Sequence, residues 1–101
     1  MPIPTDLEVY QQDLSVDTLY YVKNSGKGTE RQNSGLSVDG GTVNVYGSLH
    51  KPASAPADMI LDRGAFSGLD SFAWVPTYLY FEDNTGTPVV TVSSIEAEEV
   101  V

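Results

Sequence analysis

Apolar residues recur at every second position over much of this chain, and no stretch repeats them at the three-to-four spacing of a helix. The clearest run is Thr42-Val43-Asn44-Val45-Tyr46-Gly47-Ser48-Leu49. As a strand it turns Val43, Val45 and Leu49 toward a core, and Thr42, Asn44, Tyr46 and Ser48 away from it. Gly47 shares the core face, where a missing side chain leaves room for a bulge or for a bulky neighbour such as Phe72 or Trp74. Leu36-Ser37-Val38 starts the same alternation earlier, and Asp39-Gly40-Gly41 interrupts it. Residues 18–23, rich in β-branched and aromatic side chains, predict another strand. Val89-Val90-Thr91-Val92-Ser93 predicts a further one, entered through Asp83-Asn84-Thr85-Gly86, which has the residue types of a hairpin loop. Leu7-Glu8-Val9-Tyr10 reads as a short edge strand, residues 11–17 as a polar turn, residues 59–62 as a strand or a single helical turn, and residues 64–68 as a turn.

The densest apolar stretch is Ser71-Phe72-Ala73-Trp74-Val75-Pro76-Thr77-Tyr78-Leu79-Tyr80-Phe81-Glu82, which holds the single tryptophan, two of the three phenylalanines and two of the six tyrosines. Extended, it sends Ala73, Val75, Leu79 and Phe81 to one side and Trp74, Tyr78 and Tyr80 to the other. Both sides are apolar or aromatic. A surface strand needs only one such side, so the second is expected to meet another sheet, a partner subunit or a flat ligand. Pro76 cannot donate to a sheet ladder and marks an edge, a bulge or a break at that point.

Short strands with turn signals every 8 to 12 residues or so predict an all-β fold: a single antiparallel β-sandwich, jelly-roll or Ig-like, of about six to eight short strands. Residues 1–6, with Pro2 and Pro4, predict an extended N-terminal arm, residues 7–95 the sandwich, and residues 96–101 an acidic terminal strand or tail in which Glu96, Glu98 and Glu99 discourage unwanted pairing. The arm and its continuation, through Ile3, Leu7, Val9 and Tyr10, are candidates for docking on a neighbouring subunit. Residues 24–35, with glycines and two Asn-Ser-Gly triplets, predict a solvated loop, and the proline-bearing residues 50–58 a crossing between sheets.

Length and composition narrow the functional classes. A chain of 101 residues holds one core. Without cysteine there are no disulfides and no thiolate metal site. Fourteen acidic against five basic residues give a formal charge of −9, which repels nucleic-acid phosphates and anionic membranes. Residues 1–6 lack the basic and apolar segments of a secretory signal, and no stretch approaches the roughly 20 apolar residues of a membrane-spanning helix, so synthesis in the cytoplasm is expected.

Catalytic and metal chemistry finds no constellation. His50 is the sole histidine and opens a loop, with neither the companions of a zinc site nor those of a nucleophilic triad. Gly26-Lys27-Gly28-Thr29 has Val22 where a phosphate loop needs its first glycine, in strand-like rather than loop sequence. Asp58 with Asp62, and Glu96 with Glu98, are nominal carboxylate pairs of the kind that 14 acids in so short a chain produce by chance. Asp39-Gly40-Gly41 and residues 83–86 fall short of the ligand count of a defined calcium loop. The expectation is therefore no catalytic residue, no metal and no cofactor. What remains is aromatic: Trp74, Tyr78 and Tyr80 are the candidates for an interface or a sugar-stacking platform, with packing between sheets or subunits the more economical reading.

Residues 41–48, followed by a proline-containing loop, Met59 and then residues 72–80, resemble small β-sandwich proteins of tailed-bacteriophage virions. In these a strand of the form T-V-x-V-x-G-S precedes a proline-rich loop, and a strand carrying Pro-x-Tyr, here Pro76-Thr77-Tyr78, leads into a terminal hairpin. The resemblance covers roughly residues 36 to 95, with the polar loop 24–35 and the acidic C-terminus as departures from it. It implies a non-enzymatic structural protein, a capsid decoration (cement) protein or a head-fibre or tail component, located in the virion after synthesis in the host cytoplasm. Its partners would be further copies of itself, as a homo-oligomer such as a trimer, and the major capsid or another virion protein, with no nucleic acid and no membrane. The competing expectation is a carbohydrate-binding β-sandwich module using the same aromatic residues.

Overall fold

The computed structural model describes residues 11–23, 34–72 and 76–100. Six strands make up the described chain: β1 (Gln11–Leu14), β2 (Leu19–Val22), β3 (Gly35–Ser48), β4 (Ile60–Ser71), β5 (Tyr78–Ser93) and β6 (Ala97–Glu99). No helix occurs among the described residues, and every pairing is antiparallel, so the all-β antiparallel class expected from the alternation holds. The strands bond into one continuous sheet in the order β4-β3-β5-β2-β6, with β1 pairing β5 beyond the reach of β2.

Three of the strands are long, and this corrects the turns expected within them. Leu36–Val38 and the run from Thr42 are two halves of β3, joined through Asp39-Gly40-Gly41. Asp83-Asn84-Thr85-Gly86 is no hairpin loop, because β5 runs through it and both of its halves lie against β3. Likewise residues 64–68 belong to β4. The reason is parity. Buried Val38 and Val43 are five residues apart, and buried Phe81 and Val90 nine, so perfectly regular strands would throw one half of each apolar set to the wrong face. Register shifts between Asp39 and Gly41, and between Thr42 and Val43, absorb the odd residues as bulges and keep both halves facing one core.

The waist so formed demands glycine. Gly40 and Gly86 adopt φ of 86° and 71°, where a side chain is strained. A Cβ on Gly41 would fall against the Thr85 carbonyl oxygen, so the two backbones approach as closely as they do because this residue lacks one. Pro88 is accommodated in the same irregular stretch, where no regular ladder bond is required of it. Asp17, itself at φ 56°, ties the turn after β1 to this region: its amide donates to the Phe81 carbonyl at 2.7 Å and its carboxylate accepts from the Asp83 amide at 3.1 Å.

At the waist the sheet folds over. Residues 63 and 70 of a straight strand would stand about 23 Å apart, yet the Arg63 guanidinium donates to the Asp70 carboxylate at 3.0 Å and to the Ser71 carbonyl at 3.2 Å. It also lies over the rings of Phe66 and Phe72, 5.3 and 5.8 Å from their centroids. Arg63 thus buckles the two halves of β4 together. Inside the fold, Leu36, Val38, Val90, Val92 and Leu14 from one half join Val43, Val45, Leu79, Phe81, Tyr20, Val22, Ile95 and Ala97 in one buried cluster. Gln12 clips β1 to β6 through a reciprocal pair of bonds with the Ala97 backbone, at 2.8 and 3.0 Å.

Other expectations are revised at the level of single elements. The edge strand expected at residues 7–10 lies outside the described residues; Gln11–Leu14, read as a turn, is a strand in which Leu14 has an inward place opposite Val90. Residues 49–59 connect β3 to its own hydrogen-bonded neighbour β4, so they form a wide hairpin loop rather than a crossing between sheets. Leu49 lies in that loop and is 62% exposed, not in the core, while Ser48 is buried with its hydroxyl bonded to the backbone of His50. The strand expected at residues 18–23 and the interruption expected at Pro76 are found as β2 and as the connection that ends before Tyr78. Phe72 and Pro76 share a recess with Val45, Gly47 and Leu79, which places a bulky neighbour beside Gly47 as the pattern predicts.

Candidate docking face

Strand alternation turns Asn44, Tyr46 and Ser48 of β3 and Tyr78, Tyr80 and Glu82 of β5 away from the core, so three of these six outward residues are tyrosines. Ladder pairing joins them across strands. Leu61 of β4 lies opposite Tyr46 of β3, Tyr46 opposite Tyr80 of β5, and Tyr80 opposite Leu19 of β2. The next row is Ser48, itself buried, then Tyr78, Tyr21 and Glu98, across β3, β5, β2 and β6. The result is a leucine–tyrosine stripe four strands wide, about 14 Å at the usual strand spacing.

The rings pack on one another and are half-buried, Tyr21 alone among them being exposed. Tyr46 and Tyr80 meet edge to face, with centroids 6.4 Å apart and planes at 71°. Tyr21 and Tyr78 lie 5.5 Å apart at 56°. Leu61 remains 52% exposed and Tyr21 39%. Farther along β4, outward Leu69 stands opposite Ser37 and is 84% exposed, the most open large apolar residue of the described chain. Ile60 is exposed as well.

Polar groups pin the stripe in place. The Tyr46 hydroxyl donates to Glu82 Oε1 at 3.2 Å, and Asn44 Nδ2 donates to the same oxygen at 3.0 Å. Asn44 Oδ1 accepts from the amide of Ala65, at 2.8 Å, in the β4 bulge where Ala65 takes φ 50°. One side chain therefore links β4, β3 and β5. Burial, then the bond to Glu82 and its negative charge, push the Tyr46 phenol above its ordinary value of 10.0. Burial, then the charges of Asp17 and Glu82, do the same for Tyr80.

At the β2–β6 end the stripe opens into a groove lined by Tyr21, Tyr78, Lys51, Glu98, Glu99 and Val100. Within the described residues there is no cluster of three metal-ligating side chains.

Of the residues singled out by sequence, Tyr78 and Tyr80 both point outward in this face, with Leu79 and Phe81 buried behind them. Trp74 lies outside the described residues, as do the arm residues Ile3, Leu7, Val9 and Tyr10. Tyr21, Tyr46, Leu19 and Leu61 complete the face and were not among the candidates. Tyr46 was legible, since the alternation of its own strand already turns it away from the core. Leu61 was not, because its segment fits a helical turn equally well. No protein-family model matches the chain, and no curated protein or solved structure matches it.

Proposed function

We propose that this protein is a non-enzymatic structural component of a bacteriophage virion, a capsid decoration protein that docks on the shell as a homo-oligomer. The observation that carries this reading is the leucine–tyrosine stripe: a sheet face apolar across four strands, on which Leu61 and Tyr21 are exposed and Leu19, Tyr46, Tyr78 and Tyr80 half-buried. A face of this kind is stabilised when another molecule removes it from water, and mass action makes such association equivalent to ligand-linked stability. Self-association is assigned to the exposed leucines of β4, Leu61 in the stripe and Leu69 on the other side of the fold, and the tyrosine end is left for the shell. The two segments that resemble virion proteins, residues 41–48 and Pro76-Thr77-Tyr78, lie in or lead into β3 and β5, which carry Tyr46, Tyr78 and Tyr80. Cytoplasmic synthesis followed by incorporation in the particle fits the absence of cysteine.

A sugar platform uses the same residues less well, because rings inclined at 56° and 71° to their neighbours do not present one plane for stacking. The test is co-sedimentation with empty shells assembled from the major capsid protein of the same genome. Wild-type protein is expected in the pellet and a Tyr78→Ser/Tyr80→Ser variant in the supernatant. Wild-type protein that stays in the supernatant while binding a glycan array would reverse the choice.

A further inference from the structure

The groove at the β2–β6 end of the docking face combines two features that together select a partner chemistry. Its walls include two tyrosine rings, Tyr21 and Tyr78, inclined at 56° with centroids 5.5 Å apart. Its rim carries Glu98, directly opposite Tyr21 in the β2–β6 ladder, and the neighbouring Glu99 also lines it, although its ladder partner is the buried Tyr20. An aromatic face attracts a cation through its quadrupole, and a planar guanidinium satisfies a ring and a carboxylate at once, stacking on one while donating to the other. A second copy of this groove is a poor occupant, since it would bring like charges to the same rim and each chain carries −9 overall. We propose that this groove binds an arginine side chain presented by a basic segment of the partner protein on which the molecule docks. This inference rests on reading the outer face as a docking surface and names the partner's chemistry at one end of it.

Lys51 is the single cation lining the groove among the described residues and sets a sign for the test. It opposes an incoming guanidinium, so removing it should strengthen binding, whereas a groove that captures acidic or neutral segments would weaken or stay unchanged.

The experiment uses the full chain and a capped Gly-Arg-Gly-Arg-Gly peptide, with a peptide carrying citrulline, a neutral isostere, in place of both arginines. Binding is followed by amide and tyrosine-ring chemical shifts. The arginine peptide should shift Tyr21, Tyr78, Glu98 and Glu99, and bind at least about fivefold more tightly than the citrulline peptide. Glu98→Gln/Glu99→Gln should reduce affinity by a similar factor, Lys51→Ala should raise it, and added salt should weaken it. Equal binding of the two peptides, shifts elsewhere on the molecule, or weaker binding by Lys51→Ala would overturn the proposal. If the arginine peptide fails while shell co-sedimentation is still lost in Tyr78→Ser/Tyr80→Ser, the face docks by another chemistry. If both fail, the docking reading falls with it.

Discussion

Tyr46 shows how one residue serves the fold and the surface together. Its ring packs on Tyr80 while its hydroxyl fixes Glu82, which Asn44 holds from the other side. Both phenols are raised above 10.0, so the folded protein keeps these protons to higher pH than the unfolded chain does. The sign follows from proton linkage: the contribution to stability is fully present below about pH 10, and is lost as the pH rises through the folded-state values. Ring-carbon shifts across an alkaline titration should place Tyr46 and Tyr80 above the ordinary tyrosine range, and Tyr46→Phe should flatten the alkaline loss of stability. Titration of both at the ordinary value would show that neither the burial nor the hydrogen bond to Glu82 persists in solution. At this scale the sequence is a good guide inside each alternating run, where Val43, Val45, Leu79 and Phe81 are buried as the period of two requires. It fails at run ends. Leu49 continues the pattern on paper, but the strand stops at Ser48 and the side chain passes into solvent.

At the level of elements, glycine pairs and polar stretches that read as turns are bulges in long strands. The distinction was present in the numbering, since the odd intervals from Val38 to Val43 and from Phe81 to Val90 are incompatible with two regular half-strands facing one core. Local residue types favour a turn and a bulge equally, and only the long-range pairing of β5 with β3 along both halves decides between them. The waist therefore makes a sharp contrast between two glycines. Gly41→Ala should cost about 1–3 kcal/mol in urea denaturation, because the new Cβ meets the Thr85 backbone. Gly64→Ala, whose Cβ meets only the Asn44 side chain at an ordinary 3.4 Å, should stay within about 1 kcal/mol of wild type. Equal effects would mean that the close approach at the waist is not real. Arg63 tests the fold-over itself. Arg63→Ala should cost about 1–3 kcal/mol by releasing the Asp70 and Ser71 bonds and the Phe66 and Phe72 contacts, and Arg63→Lys should recover little, since an ammonium cannot stack and fork in one plane. Full recovery by lysine would reduce the buckle to a simple ion pair.

For the molecule as a whole, the outer face separates the two demands on this sequence. The core needs every second residue of β3 and β5 to be apolar, and meets that need with valine, leucine and phenylalanine on one side. Leucine and tyrosine on the other side exceed what a solvated sheet face needs, since polar residues would serve there. The two-sided aromatic character of residues 78–81 was legible from spacing alone, and it is what directs attention to association. Its extent was not, because the stripe is assembled from four strands whose register no local pattern specifies.

The most direct test of that claim is the mass of the protein in solution, by light scattering after size exclusion over a range of concentrations. Wild-type protein should scatter as a multiple of the 10.9 kDa chain, and Leu61→Ser/Leu69→Ser, which alters only exposed side chains, should return it to a single chain with its melting transition retained. Wild-type protein that remains at 10.9 kDa at every concentration would contradict the account.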